Sequence, residues 1–238
     1  MHLAGLVTQV ATPVVDLRIW GVRSVTGALG RMAYGGVGLR RLPGLRFGKL
    51  MGTGSARTFT PRDADPRHWA LLTVWPDIDA ADAAGSSRFI RSWSEASHEE
   101  LTVRLRPLSS RGRWAGREPF GIGAGRNAAH PGPVAVVTRA RLRPTRALSF
   151  WRAVPPVVAE LGSAPGLRLA LGIGEAPVGL QGTFSIWDSA TALTDFAYRS
   201  TAHRQAIRDT VPKHWYAEEL FARFAVLELA GRYQGRTP

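Results

Sequence analysis

An internal repeat constrains the fold of this chain more than any other feature of its sequence. Each half follows the order strand, helix, strand, strand, helix, strand, which is the order of a ferredoxin-like βαββαβ unit. Two such units each leave one sheet face uncovered, and they bury those faces against each other. The sequence therefore predicts an α+β fold, with tandem duplicated ferredoxin-like βαββαβ units forming a dimeric α+β barrel within one chain. The matching blocks are 43–54 with 165–176, 68–77 with 181–189, and 99–116 with 218–235.

The repeat also divides the chain into two predicted units. Residues 1–120 form the N-terminal ferredoxin-like unit, and residues 133–238 form the C-terminal one. Residues 121–132 lie between them and form a connecting loop, because this stretch is rich in glycine and has no hydrophobic periodicity.

Local patterns predict the individual elements of the first unit. Apolar residues spaced by three and four predict a helix over 22–34, which Gly35-Gly36 should end. A second helix is predicted over 79–94. The strand over 99–107 alternates, so that Leu101, Val103 and Leu105 should share one face.

The charge of the chain favours anionic partners other than nucleic acid. Its 31 Lys and Arg residues outnumber 18 Asp and Glu residues, which gives a net charge of +13. Such a charge favours contact with lipid headgroups or carboxylate ligands. The arginines are scattered and no run of five or six like charges occurs, so nucleic acid is excluded as the expected partner.

The cysteine count and the apolar runs narrow the class of protein further. The absence of cysteine excludes disulfides, thiolate zinc sites, iron–sulfur clusters, thiolate-ligated haem and covalently attached haem. No apolar run approaches about 18 residues, and the first residues lack the basic start of a signal peptide. We expect a cytoplasmic protein whose basic surface is compatible with peripheral contact with a membrane.

The last strands of the two units differ in a way that points to the second unit. In the first unit this strand has a polar face with Arg104 on it, whereas in the second unit Arg223 lies alone among Phe221, Ala225 and Leu227. A lone arginine on an apolar face needs an anionic partner. That partner is either a ligand or a nearby glutamate in a buried ion pair, the candidates being Glu218, Glu219 and Glu228.

One histidine in the second unit has no counterpart in the first. A helix is predicted from about residue 191 to 211, with Phe196, Ser200 and His203 near its buried stripe. The aligned helix of the first unit carries 87–91 there, without a histidine, so the fold does not require one. His203 is either a solvated helix residue or a ligand that binds iron through one ring nitrogen.

Other candidate sites are weaker. His98 and Glu100 have an H-x-E spacing that could supply two ligands of a non-haem iron triad. However, Glu99-Glu100 recurs as Glu218-Glu219 without the histidine, which indicates a structural role for the pair. Gly121, Gly123 and Gly125 follow no predicted strand, so a dinucleotide-binding loop is not indicated.

Several ungapped blocks, in the same order from about residue 40 onward, resemble the spheroidene monooxygenase family of carotenoid biosynthesis. The resemblance implies a haem-containing oxygenase that adds oxygen at a terminal carbon of an acyclic carotenoid. The block FAYRSTAHRQAI at 196–207 is similar to the segment that bears the family's histidine, and it implies that His203 is the axial ligand and metal site of haem b. At fold level the arrangement also resembles aldoxime dehydratases and chlorite dismutase. The blocks are PGLRFGKLMGTG (43–54), LLTVWPD (71–77), LSSRGRWAGREPF (108–120), LRPTRALSFWRAVP (142–155), LGIGEAPVGLQGTFSIW (171–187) and WYAEELFARFAVLELAGRYQG (215–235).

Together these inferences give one predicted site and a set of partners. The catalytic candidates are Arg223, Gln181 and Ser185, which would orient iron-bound oxygen. The cofactor-binding candidates besides His203 are Arg199, Arg204 and Phe196, the arginines pairing with haem propionates. We expect a small apolar substrate and an external electron donor or peroxide, because no flavin or nicotinamide motif occurs; a homo-oligomer is left open.

Two alternatives remain from the sequence. One is a haem enzyme that acts on a nitrogenous substrate, as an aldoxime dehydratase does. The other is a non-catalytic barrel that binds an apolar ligand.

Overall fold

The structure is a computed structural model, and it describes residues 12–55, 63–121, 130–146, 149, 160–175, 180–199 and 215–238. Eight strands and four α-helices lie within these ranges, together with a short 3-10 helix at Pro144–Arg146. The strands are β1 Val14–Val22, β2 Phe47–Gly54, β3 Ala64–Trp75, β4 Ser97–Gly112, β5 Val134–Leu142, β6 Leu167–Gly174, β7 Leu180–Trp187 and β8 Tyr216–Gly231. The helices are α1 Val25–Arg40, α2 Ile78–Gly85, α3 Arg88–Glu95 and α4 Ala190–Arg199.

The eight strands form one antiparallel sheet that closes into a barrel in the order β1-β3-β2-β6-β7-β5-β8-β4. The N-terminal half contributes β4-β1-β3-β2 and the C-terminal half contributes β8-β5-β7-β6, which is the same order. The halves join where β4 pairs with β8 and β2 pairs with β6. The prediction of an α+β fold is confirmed. The duplication itself and the division at residues 121–132 stay predictions.

The strand registers place the aligned blocks of the sequence at equivalent positions of the two halves. Trp75 pairs with Val14 in the first half, and Trp187 pairs with Val134 in the second. Both tryptophans are buried, as expected for packing residues. These pairs define which strand positions of the two halves are equivalent.

The barrel interior is a continuous apolar core. Alternate residues of every strand point inward, and Leu101, Val103 and Leu105 of β4 are among them, as their spacing predicts. Burial of this interior from both halves supplies the main stabilisation of the fold.

A second core lies outside the barrel, between the sheet of the N-terminal half and helices α1, α2 and α3. Trp20 stacks on Trp93 with ring centroids 5.3 Å apart, and Trp69 lies 6.4 Å from Trp93. Three tryptophans therefore fill the space between this face of the sheet and the helices.

Helix α1 is longer than predicted. It begins after Ser24, whose hydroxyl accepts a hydrogen bond from the Gly27 N–H, and it runs through Gly35-Gly36 to Arg40. Gly35 does not end the helix because it packs against the sheet: a Cβ there would lie 2.5 Å from Leu50 Cδ2. The predicted end at residue 34 is wrong, since this glycine allows close packing rather than a turn.

The predicted single helix over 79–94 is two helices. Helix α2 ends at Gly85, and Ser87 caps a new helix by accepting a hydrogen bond from the Ile90 N–H at 3.3 Å. The break lets both short helices lie across the curved sheet. Among the described residues, no helix is long and apolar enough to cross a membrane.

Candidate functional site

The outer sheet faces of the two halves differ in the size of their side chains. Where β1 has Trp20, the equivalent position of β5 has Ala140. Where β2 and β3 pair Leu50 with Leu71, β6 and β7 pair Gly172 with Thr183. The C-terminal half therefore lacks the bulk that fills the N-terminal half.

We call this surface the C-terminal outer face and define it by Val136, Thr138, Ala140, Gly172, Thr183, Ser185 and Arg223. It spans the strands β6, β7, β5 and β8, about 14 Å across three interstrand spacings. Most of its members are small, and the Thr138 and Thr183 hydroxyls are hydrogen-bonded to each other. The surface can therefore lie beneath a broad, flat ligand with a few hydroxyls and one guanidinium directed at it.

Two arginines at equivalent positions have different surroundings. Arg104 pairs in register with Asp16 and donates to both of its carboxylate oxygens, at 2.9 and 3.2 Å. A third bond, of 2.7 Å, reaches Asp82 on α2. The hydrogen bonds to Asp16 outweigh the effect of burial and raise the pKa of Arg104, so it is a permanent cation of the fold.

Arg223 occupies the matching place in the C-terminal half, and its register partner on β5 is Val136 instead of an aspartate. Arg223 is half-buried, and its Nε donates to Ser109 Oγ at 3.2 Å. The substitution of valine for aspartate removes the carboxylate that the neighbouring strand supplies to Arg104. Arg223 is therefore placed on the C-terminal outer face in an environment unlike that of its twin.

Ser185 lies on the same face and is buried, and its hydroxyl accepts a hydrogen bond from Trp187 Nε1 at 3.0 Å. The first half repeats this contact, since Trp75 Nε1 donates to Thr73 Oγ1 at 3.0 Å. The Ser185 oxygen thus has a structural role in holding the tryptophan. Its own O–H remains a donor that can face a ligand.

Helix α4 packs against one end of the C-terminal outer face. Phe196 lies 5.3 Å from Trp187 between ring centroids, and Leu193 belongs to the same outer core. His203 follows α4 by four residues in the sequence and lies outside the described residues, as does Arg204. The side chains of Arg199 and Gln181 are likewise outside them, although the backbones of both belong to described elements, α4 and β7.

The two glutamates that follow His98, one of which belongs to the H-x-E candidate, are engaged in structural contacts. Glu99 accepts a hydrogen bond from His68 Nε2 at 2.7 Å, and Glu100 pairs with Arg18 at 3.0 Å. Within the described ranges, no group of three or more His, Asp or Glu residues is arranged to hold a metal ion. The recurrence of Glu99-Glu100 as Glu218-Glu219 also has a structural explanation in the turns that follow β4 and β8.

Each of these turns is capped by a carboxylate from the other half. Glu99, near the start of β4, accepts from the N–H groups of Gln234 and Gly235, both at 2.9 Å. The matching Glu218 of β8 accepts from the backbone N–H groups of Ala115 and Gly116, at 3.0 and 2.7 Å. These contacts tie the two halves together and give the repeated glutamates their role.

A buried ionic cluster inside the barrel was not predicted from the sequence. Lys49 pairs with Glu175 at 2.5 Å, and Arg139 bridges Glu175, at 3.0 Å, and Glu218. Trp114 Nε1 donates to Glu175 at 2.7 Å. Burial acts to raise the pKa of Glu175, but the contacts with Lys49, Trp114 and Arg139 together outweigh it and lower the pKa, so this carboxylate is a fixed anion rather than a proton donor.

The chain shares its α+β fold with a protein of known structure. It superposes on the solved structure of the aldoxime dehydratase OxdRE in complex with butyraldoxime with a TM-score of 0.59 at 13% identity, covering 92% of this chain and 81% of that chain. At this level of identity the likeness shows a shared fold and carries no activity with it.

Sequence similarity then defines the family. The chain is 34% identical over 225 residues to spheroidene monooxygenase of Cereibacter sphaeroides, covering 94% of this chain and 66% of that protein. It is 34% identical over 233 residues to the Rhodobacter capsulatus protein of the same name, covering 95% of each. The Rubrivivax gelatinosus protein is 38% identical over 224 residues, with 92% and 80% covered.

No protein-family model matches the chain. The three relatives show that the chain belongs to the spheroidene monooxygenase family, as the resemblance of its sequence blocks predicts. It is therefore an oxidoreductase of the monooxygenase class.

The members of the C-terminal outer face other than Arg223 and Ser185 were missed by the sequence analysis. The signal was present in the repeat, because aligning β1 with β5 and β2 with β6 sets Trp20 against Ala140 and Leu50 against Gly172. It could be interpreted only once the register showed which of these positions lie outside the barrel.

Proposed function

We propose that the chain is a haem-dependent monooxygenase that oxidises an acyclic carotenoid, with haem b lying on the C-terminal outer face. The observation that carries the proposal is the loss of bulk on this face relative to its twin, with alanine, glycine and threonine in place of tryptophan and leucine. The names of the three relatives support spheroidene or a similar apolar polyene as substrate.

The residues on this face suit the proposed cofactor. Haem needs a broad apolar platform, an axial ligand and cations for its propionates. The small side chains around Gly172 suit a flat ligand, and Arg223 supplies a cation on the same face. The proposed set is completed by His203 as the axial ligand and by Arg199 and Arg204 as further cations. Phe196 is proposed to contact the haem.

When bound, haem supplies the iron that activates oxygen. The reaction as a whole inserts one atom of O₂ into a C–H bond and reduces the other to water, with electrons and protons from an external donor. Peroxide can replace O₂ and the donor. The electron donor and the peroxide route are both parts of the proposal.

The chain's own groups position the reactants. The Arg223 guanidinium offers fixed N–H donors toward the face, and its charge favours anionic groups beside it. The Ser185 O–H is a second donor, held in place because its oxygen accepts from Trp187. Gln181 is proposed as a third polar group of this wall.

A bulk-restoring variant tests the proposal. Ala140→Trp puts back the side chain that Trp20 provides in the other half, and it should abolish haem binding while the barrel stays folded. Isotopically labelled O₂ with an electron donor, or labelled peroxide without one, should give a wild-type carotenoid product that carries the label, and the variant should give none. The conservative Ala140→Ser is the matched control and should keep the activity.

Two results would count against the proposal. The first is an Ala140→Trp protein that binds haem and turns over at the wild-type rate. The second is a labelled product formed by a protein that contains no haem.

A further inference from the structure

Helix α1 has an unusual outward face. A surface helix normally buries an apolar stripe and exposes a charged one. Here the residues that face solvent include Leu29, Tyr34 and Val37, which are 54%, 80% and 45% exposed. They share that side with Gly30 and Ala33, so the helix is apolar on its exposed side as well as its buried one.

These three side chains form half of the large exposed apolar side chains in the described part of the chain. The buried side of the helix is formed by other residues, Ala28, Gly35 and Leu39, which pack on the sheet. Packing within the chain therefore does not explain Leu29, Tyr34 and Val37. Exposed apolar residues clustered on one element are typical of an interaction surface.

The charged residues in the stretch of sequence that contains α1 all have the same sign. The stretch from Leu17 to Arg62 contains no Asp or Glu. The helix ends at exposed Arg40, and exposed Arg41 and Arg46 follow it. The basic residues of the stretch are Arg18, Arg23, Arg31, Arg40, Arg41, Arg46, Lys49, Arg57 and Arg62.

We propose that α1 docks on an anionic lipid bilayer, with Leu29, Tyr34 and Val37 entering the headgroup boundary and Arg40 and Arg41 contacting lipid phosphates. Apolar side chains next to arginines, without acidic residues, suit the interface of an anionic membrane. The helix is about 24 Å long, so its outward face can lie flat on a bilayer surface.

A second copy of the chain fits this surface less well, because two such faces would bring like charges together. Under the proposed function, the docking also has a purpose, since a carotenoid dissolves in the bilayer and the enzyme must collect it there. The docking surface itself is argued from α1 alone and does not require that function.

Co-sedimentation of the full chain with vesicles tests the docking without haem or substrate. Vesicles of phosphatidylglycerol mixed with phosphatidylcholine should bind the protein, and pure phosphatidylcholine vesicles should bind it much more weakly. Leu29→Ser with Val37→Ser should lower the partition coefficient about tenfold or more. Arg40→Gln should lower it about fivefold on anionic vesicles only, and raised salt should weaken binding in the same way.

The control is Ile78→Ser, which removes an exposed apolar side chain from α2 rather than α1. It should bind vesicles as the wild type does. Circular dichroism checks that each variant is folded, which is expected because the changed side chains are exposed.

The docking proposal is overturned if the wild type does not bind anionic vesicles, or if the Leu29→Ser, Val37→Ser protein binds them as well as the wild type. It is also overturned if sedimentation velocity without vesicles shows a dimer that this double variant abolishes, since α1 is then a protein interface. If the wild-type protein binds vesicles but shows no oxygenase activity on detergent-dispersed substrate, the proposed function is contradicted and the docking proposal is not affected.

Discussion

Arg104 and Arg223 occupy equivalent strand positions, and we expect their alanine variants to behave differently. Arg104→Ala leaves the Asp16 carboxylate, only 3% exposed, buried without its cation, which costs about 3–5 kcal/mol of unfolding free energy. The bond to Asp82 adds at most about 1 kcal/mol, because that side chain is 62% exposed. At about 2–4 °C per kcal/mol for a chain of this size, the pair with Asp16 alone predicts a fall in Tm of roughly 6–20 °C.

Urea unfolding followed by tryptophan fluorescence measures this cost, with Arg223→Ala as the matched control. Arg223 pairs in register with Val136, so Arg223→Ala leaves no aspartate of the neighbouring strand buried without its cation. This variant should cost less stability than Arg104→Ala and lose activity. Replacing Asp16 and Arg104 together by Leu and Met should recover most of the stability. If Arg104→Ala costs less than about 1 kcal/mol, or Arg223→Ala costs as much as Arg104→Ala, the contrast between the halves is wrong.

Two further predictions concern the N-terminal half. Burial opposes a charge on His68, but its hydrogen bonds to Asp65 and Glu99 outweigh this and raise its pKa above 6.5. The contribution of His68 to stability is therefore complete below about pH 6.5 and is lost as the pH rises through the raised pKa. The hydrogen bond to His68 lowers the pKa of Asp65. Burial acts to raise the pKa of Glu99, but its bonds to His68 and to the N–H groups of Gly235 and Gln234 outweigh this and lower it, so the contribution of both carboxylates is lost below about pH 4. Thermal unfolding against pH should show a maximum of stability between these limits that His68→Gln flattens; an unchanged profile would contradict the ion pairs. In α1, Gly38→Ala should lower the free energy of unfolding by about 1–3 kcal/mol, because its Cβ would lie 2.5 Å from the Phe89 ring. Gly30→Ala should raise it by up to about 1 kcal/mol, since nothing lies within 4 Å of a Cβ there. Equal effects of the two variants in urea unfolding would refute the packing described for the helix.

The repeated order of strands and helices in the sequence was enough to predict the α+β fold class. Repetition of a strand and helix pattern limits the ways in which sheet faces can be buried, and the observed registers agree with the aligned blocks, including Trp75 with Trp187. The recurring Glu99 and Glu218 were correctly interpreted as structural, because a pair that recurs without its histidine is unlike a metal site.

Other features depended on contacts between distant parts of the chain. The sequence predicts that Gly35 ends the helix, and only the packing of Leu50 shows that this glycine is needed for close approach. The cluster around Glu175 could not be predicted, because its members come from strands of both halves. The small residues of the C-terminal outer face lacked meaning until the barrel fixed which side of each strand faces outward.

We propose His203 as the residue of the C-terminal half that binds haem iron. The most direct measurement is the absorption spectrum of the protein purified from cells supplied with haem precursor. We predict a Soret band that is lost in His203→Ala and restored when imidazole is added to that variant, while His98→Ala keeps the wild-type spectrum. A wild-type protein that stays colourless after titration with haem, or a His203→Ala protein with an unchanged Soret band, would contradict the claim.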